Sequence, residues 1–83
     1  MQDKPVGYCV ATYHGYRAGH VFTESYEDAV EALREFVMAY SNLPNEDILD
    51  MGDSDLMDEI DEIDEQSEEE TWGYILPIRF RED

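Results

Sequence analysis

The sequence predicts a small α+β domain of order β-β-α-(α)-β, with a three-stranded, mainly antiparallel sheet packed on one amphipathic helix and an acidic second helix. Three patterns carry this reading. Runs rich in β-branched and aromatic residues open and close the chain, an apolar repeat of helical period fills residues 25–41, and acids crowd residues 45–70. Eighty-three residues make a single domain, 1–83, whose core is near the lower limit of self-sufficiency. Hydrophobic content of 42% and aromatic content of 12% exclude a disordered polyelectrolyte as a description of the whole.

Residues 6–23 read as a β-hairpin. Val6–His14 (VGYCVATYH) has no helical period, and neither of its alternating faces is strongly polar, as expected of a central strand. Gly15–Gly19 supplies two glycines for the turn, and His20–Thr23 is the returning strand. Cys9, the single cysteine, excludes an internal disulfide and reads as a small buried strand residue.

Ser25 caps the next element, with Asp28 in the capping-box position and acids in the first turn. Tyr26, Ala29, Val30, Leu33, Phe36, Val37 and Tyr40 then line one face of a core helix, which Pro44 ends. Within the acidic segment, Asn45 can cap a short turn holding Ile48 and Leu49, and Asp53 or Ser54 can cap a second helix. Leu56, Ile60 and Ile63 give that helix a narrow apolar stripe. In 71–80, Trp72, Tyr74, Leu76, Ile78 and Phe80 alternate onto one face, which predicts a strand burying those five side chains; Pro77 makes it an edge strand. The expected core is Val10, Phe22, Leu33, Phe36, Val37, Leu76 and Ile78.

The charge is concentrated. Net charge is about −3 over residues 1–44, −14 over 45–70 and zero over 71–83, within a total of −17. The candidate partner-binding residues are Asp50, Asp53, Asp55, Asp58, Glu59, Asp61, Glu62, Asp64, Glu65, Glu68, Glu69 and Glu70; Glu46 and Asp47 complete the cluster, and no Lys, Arg or His interrupts it. If helical, the pairs Asp55/Glu59, Asp58/Glu62 and Asp61/Glu65 each cost about 0.2–0.5 kcal/mol. A helix selected only for solubility would mix in lysine. Carrying this repulsion in a small domain points to the negative field as the selected property.

Other chemistries fit poorly. With Gly52 at position 6 of a calcium loop, positions 3 and 5 fall on Leu49 and Met51, so the EF-hand pattern fails. His14 and His20 flank the hairpin turn without partners at zinc-ligand spacing, and Cys9 lacks the electropositive setting of a nucleophile. No Gly-rich phosphate loop occurs, so the expectation is a protein that is not an enzyme and uses no cofactor or metal. Phosphate backbones and anionic lipids would be repelled, which excludes direct nucleic-acid and membrane binding as expectations. The lone cysteine and the absence of an apolar leader or span suggest a cytoplasmic protein. Self-association into a homodimer is open to it.

In size, net charge and clustering of acids over Asp47–Glu70, the chain resembles the small acidic DNA-mimic inhibitors of phages and other mobile elements, which include anti-restriction and anti-CRISPR proteins and inhibitors of repair and nucleoid proteins. The resemblance is one of strategy and matches no family motif. It implies an inhibitor whose carboxylates occupy phosphate positions in the DNA-binding groove of a basic host protein, in the cytoplasm of the host cell if phage-encoded. An acidic interaction module or chaperone for a basic protein, and a salt-adapted small protein, are the alternative readings. Salt adaptation would spread acids over every exposed face, whereas residues 71–83 are neutral.

Overall fold

The central strand is β1 (Gly7–His14), flanked by β2 (Arg17–Thr23) and β3 (Thr71–Ile78), both antiparallel to it. A computed structural model describes residues 6–79 and gives the order β2-β1-β3 with α1 (Tyr26–Tyr40), α2 (Asn45–Leu49) and α3 (Asp53–Gln66) between β2 and β3. The α+β class and the order of elements are therefore as the sequence predicts. The expected burial of Phe80 lies outside the described residues.

The hairpin is tighter than expected. His14 pairs with Arg17, leaving only Gly15 and Tyr16 in the turn, so β2 begins at Arg17 rather than His20. Gly15 takes φ 63°, the positive value that a two-residue turn with glycine first requires. That turn matches the right-handed twist of the strands, which lets pairing run to its edge.

Helix α1 starts as predicted, with the Ser25 hydroxyl oxygen accepting from the Asp28 N–H at 3.1 Å. The later caps differ. Pro44 and Gly52 occupy the N-cap positions of α2 and α3, so Asn45 and Asp53 lie inside the first turns instead of capping them, and Ser54 follows within the helix. Pro44 presets the extended backbone that enters α2, and the Pro44 carbonyl accepts from Asp47 and Ile48.

The core lies between one face of the sheet and the helices. Val10, Ala29, Leu33, Val37, Ile48, Leu56 and Ile60 form its buried cluster, with Tyr8, Phe36 and Ile75 packed against it. Helix α3 is thus a full member of the core, beyond the edge packing its narrow stripe predicts: Leu56, Ile60 and Ile63 are all buried. Three buried side chains at that spacing suffice because α3 lies over β3 where the strand is smallest. A Cβ on Gly73 would sit 3.2 Å from both Ile60 Cδ1 and Leu33 Cδ1. The helices supply the bulk at this point and the strand supplies the gap.

That packing reverses the predicted face of β3. Register places Gly73 beside Thr12 and Ile75 beside Val10, so Thr71, Gly73 and Ile75 face the helices. Trp72, Tyr74, Leu76 and Ile78 consequently lie on the opposite, open face. Leu76 is 49% exposed and, on β2, Phe22 is 72% exposed; neither belongs to the core. Cys9, paired with both Phe22 and Leu76, is half-buried on this face and not a core residue. Among the described residues the helices cover one face only, which gives a two-layer structure whose second sheet face no described element covers.

Candidate acidic interface

Residues 45–66 present their carboxylates on two short helices joined by Asp50, Met51 and Gly52. Burying Ile48 on α2 and Leu56, Ile60 and Ile63 on α3 turns the remaining positions outward. Asp47, Asp50, Asp55, Asp58, Asp61 and Glu62 line an open groove of about 680 Å³ together with Met51 and Glu59. Asp47 belongs to this groove although its position before the Met51-Gly52 break sets it apart from the main acidic run in sequence. The signal was its place three residues before Asp50, which caps the C-terminus of the same short helix.

The predicted acids separate by what holds them. Asp55, Asp58, Asp61 and Glu65 are exposed and their carboxylates accept no hydrogen bond within the described residues, and Asp50 is likewise exposed. Glu62 is exposed and accepts at 3.4 Å from Gln66. Three others hold the fold. Glu59, half-buried, accepts from the Ser41 hydroxyl at 2.5 Å, tying α3 to the end of α1. Asp64 accepts the backbone N–H of Thr71 at 2.8 Å, which fixes the first residue of β3. Asp53 accepts from the Tyr26 hydroxyl and, at 2.8 Å, from the Ser54 N–H. The Tyr26 bond, then the Ser54 N–H, holds the Asp53 carboxyl below its ordinary value; the same bond, then burial, raises the Tyr26 phenol.

Glu68, Glu69 and Glu70 do not extend α3. The helix closes at Ser67, whose N–H bonds the Ile63 carbonyl, and the three acids lie in the turn leading to β3. Glu69 packs against Gly15, where an added Cβ would approach its carboxylate to 2.9 Å, and the Glu70 carbonyl accepts from the Gly15 N–H. These acids therefore cluster at the hairpin end of the sheet, away from the groove of α2 and α3.

One basic residue organises the site, and the sequence patterns above gave it no role. Arg34, on α1, donates from Nε to the Ile48 carbonyl at 3.2 Å and from Nη2 to the Met51 carbonyl at 2.6 Å, and it pairs with Glu31. It adds a donor to the Ile48 carbonyl, which also accepts from the Met51 N–H at 3.1 Å, and it bonds the Met51 carbonyl just past the end of α2. Its cue was a lone Arg at the margin of the apolar face of α1, able to lay its stem on the core and reach past it.

Along α3, eight acids (Asp53, Asp55, Asp58, Glu59, Asp61, Glu62, Asp64 and Glu65) share 14 residues. At about 1.5 Å per residue that is one charge per ~2.6 Å, between the ~1.7 Å of duplex DNA and the ~3.4 Å of a single strand. Among the described residues no three His, Cys, Asp or Glu side chains are arranged to hold a metal ion. Among the described residues no helix is long and apolar enough to cross a membrane. Comparison with protein-family models, curated proteins and solved structures finds no match to this chain.

Proposed function

We propose that the protein is a DNA mimic that binds a basic DNA-binding protein in its DNA groove and so blocks DNA binding. The observation that carries this reading is the segregation of charge: α2 and α3 hold a dense run of outward carboxylates and no basic residue, while among the described residues the three strands place no Asp, Glu, Lys or Arg on the open sheet face. A surface made acidic only to tolerate salt would not leave one whole face bare, so salt adaptation is the weaker account. Asp50, Asp55, Asp58, Asp61, Glu62 and Glu65 stand in for phosphates; Glu59, Asp64 and Asp53 chiefly hold α3 in place. Lys and Arg of the target meet them in charge-assisted hydrogen bonds, and opposite fields speed the encounter. The carboxylates offer no scissile bond to a nuclease.

The test is capture from a bacterial lysate at low salt, with elution first by duplex DNA and then by a salt gradient. Release of a nuclease, repair enzyme or nucleoid protein by DNA is the expected result. A variant with Asp55, Asp58 and Asp61 replaced by Asn and Glu65 by Gln removes four charges that make no internal hydrogen bond, and it should lose capture while keeping its helical signal. A partner that resists DNA but leaves in salt would instead identify an acidic binding module. Undiminished capture by the neutralised variant would refute both.

A further inference from the structure

We propose that the open face of the sheet is a homodimer interface, at which two copies of this chain pack sheet against sheet with their acidic helices outermost. This inference does not depend on the DNA-mimic reading. The face carries Cys9, Ala11 and Tyr13 from β1, His20 and Phe22 from β2, and Trp72, Tyr74 and Leu76 from β3. Trp72 stacks between Tyr13 and Tyr74, with ring centroids 5.4 and 5.1 Å apart and interplanar angles of 9° and 10°. Phe22 and Leu76, 72% and 49% exposed, lie farther along the same face on opposite sides of Cys9. Aromatic groups already fixed by stacking lose little side-chain freedom on burial, and such residues dominate interface energetics.

Charge selects a second copy over other occupants. In a chain of net charge −17, the strands give this face, among the described residues, no acidic side chain with which to hold a basic partner. An acidic partner would be repelled by the rest of the molecule. A second copy offers the same largely apolar surface, as a two-fold interface requires. Sheets pack about 10 Å apart and each helix layer lies about 10 Å farther out, so the two acidic layers would be roughly 30 Å apart. That is several Debye lengths at physiological salt, about 8 Å each, so like charge does not prevent this arrangement. Any pairing through the helices would bring the acids together.

The area is adequate. Three strands of up to eight residues cover about 26 Å by 14 Å, and with side-chain relief two such faces bury on the order of 1,000 Å², the lower bound for a specific interface. A reversible dimer of modest affinity is therefore expected, and concentration is the variable that reveals it.

Sedimentation equilibrium under reducing conditions, from about 1 μM to 1 mM, tests the proposal. The expected result is a rise from monomer to dimer mass across that range, with Cys9 alkylated more slowly at the high end. Phe22→Asp, on an exposed edge-strand position, should weaken dimerisation at least about tenfold and leave the circular dichroism unchanged. Should that variant misfold, Leu76→Thr supplies the same test with a strand-forming residue. A monomer at every concentration, or a dimer that either folded variant leaves undiminished, overturns the proposal. So does a monomer whose folded Phe22→Asp variant loses its hold on the captured target, because the face would then belong to that target.

Discussion

Arg34 Nη2 donates to the carbonyl oxygen of Met51, 2.6 Å away, and so joins the middle of α1 to the break between the two acidic helices. Its Nε reaches the Ile48 carbonyl as well. Of the residues described, Arg34 alone puts a cation against the end of α2, and it does so through backbone carbonyls, leaving the outward carboxylates uncompensated. Fold and field are thereby separated: the cation orders the segment without neutralising it.

The first prediction follows. Arg34→Met keeps the apolar stem but leaves the Ile48 and Met51 carbonyls without this donor, which should cost about 1–3 kcal/mol. Amide exchange in α2 should accelerate more than exchange in β1. Equal melting temperatures and exchange rates in variant and wild type would show that the Arg34 contacts do not hold the segment.

A second prediction concerns the core and the reversed face of β3. Leu33→Ala, at a fully buried position, should cost about 2–5 kcal/mol, a large share of the stability of so small a domain. Gly73→Val should cost about 1–3 kcal/mol, because its side chain would enter space filled by Leu33 and Ile60. Leu76→Ala, measured at low micromolar concentration, should change stability much less than Leu33→Ala. Denaturant titration that ranked Leu76 above Gly73 would return the large side chains of β3 to the core.

The same residues show what the sequence reveals and what it hides. Period and capping made β1, α1 and β3 legible as elements, since each signal is local: Ser25 and Asp28 mark a helix start wherever they occur. Which face of β3 turns inward is not local. Alternation identifies two faces and leaves their assignment to whatever packs on them, and here Leu33 and Ile60 fill the space over Gly73. Size was therefore a misleading guide: the large side chains are outside because the helices already provide the volume. For the acidic site, sequence density located the segment, but only tertiary contacts distinguish Asp58, free at the surface, from Glu59, bonded to Ser41, or Asp64, bonded to Thr71.

The last prediction concerns the start of α3, which has Gly52 at its N-cap and no capping side chain. The Tyr26 hydroxyl donates to Asp53 there, linking the first turn of α3 to the first turn of α1. The hydrogen bond depresses the Asp53 pKa, so its contribution is complete above the ordinary value of about 3.9 and is lost as pH falls through the depressed one. It raises the Tyr26 pKa, so the contribution is complete below about 10 and is lost as pH rises through the raised value. The link thus operates throughout the neutral range and fails at both extremes. Tyr26→Phe removes the donor and keeps the ring that packs edge-on against Tyr8 at 5.4 Å. In an NMR titration of the Asp53 carboxyl carbon, the variant's midpoint should move up toward the ordinary value. Exchange of amides in the first turn of α3 should quicken at pH 7, where both partners of the wild-type bond are in their bonding forms. High salt leaves a short hydrogen-bonded contact largely intact while it screens the repulsion among the outer acids, so the difference between Tyr26→Phe and wild type should persist in 1 M salt. An Asp53 midpoint identical in the two proteins would mean that Tyr26 does not hold this carboxylate and that α3 begins without a tether.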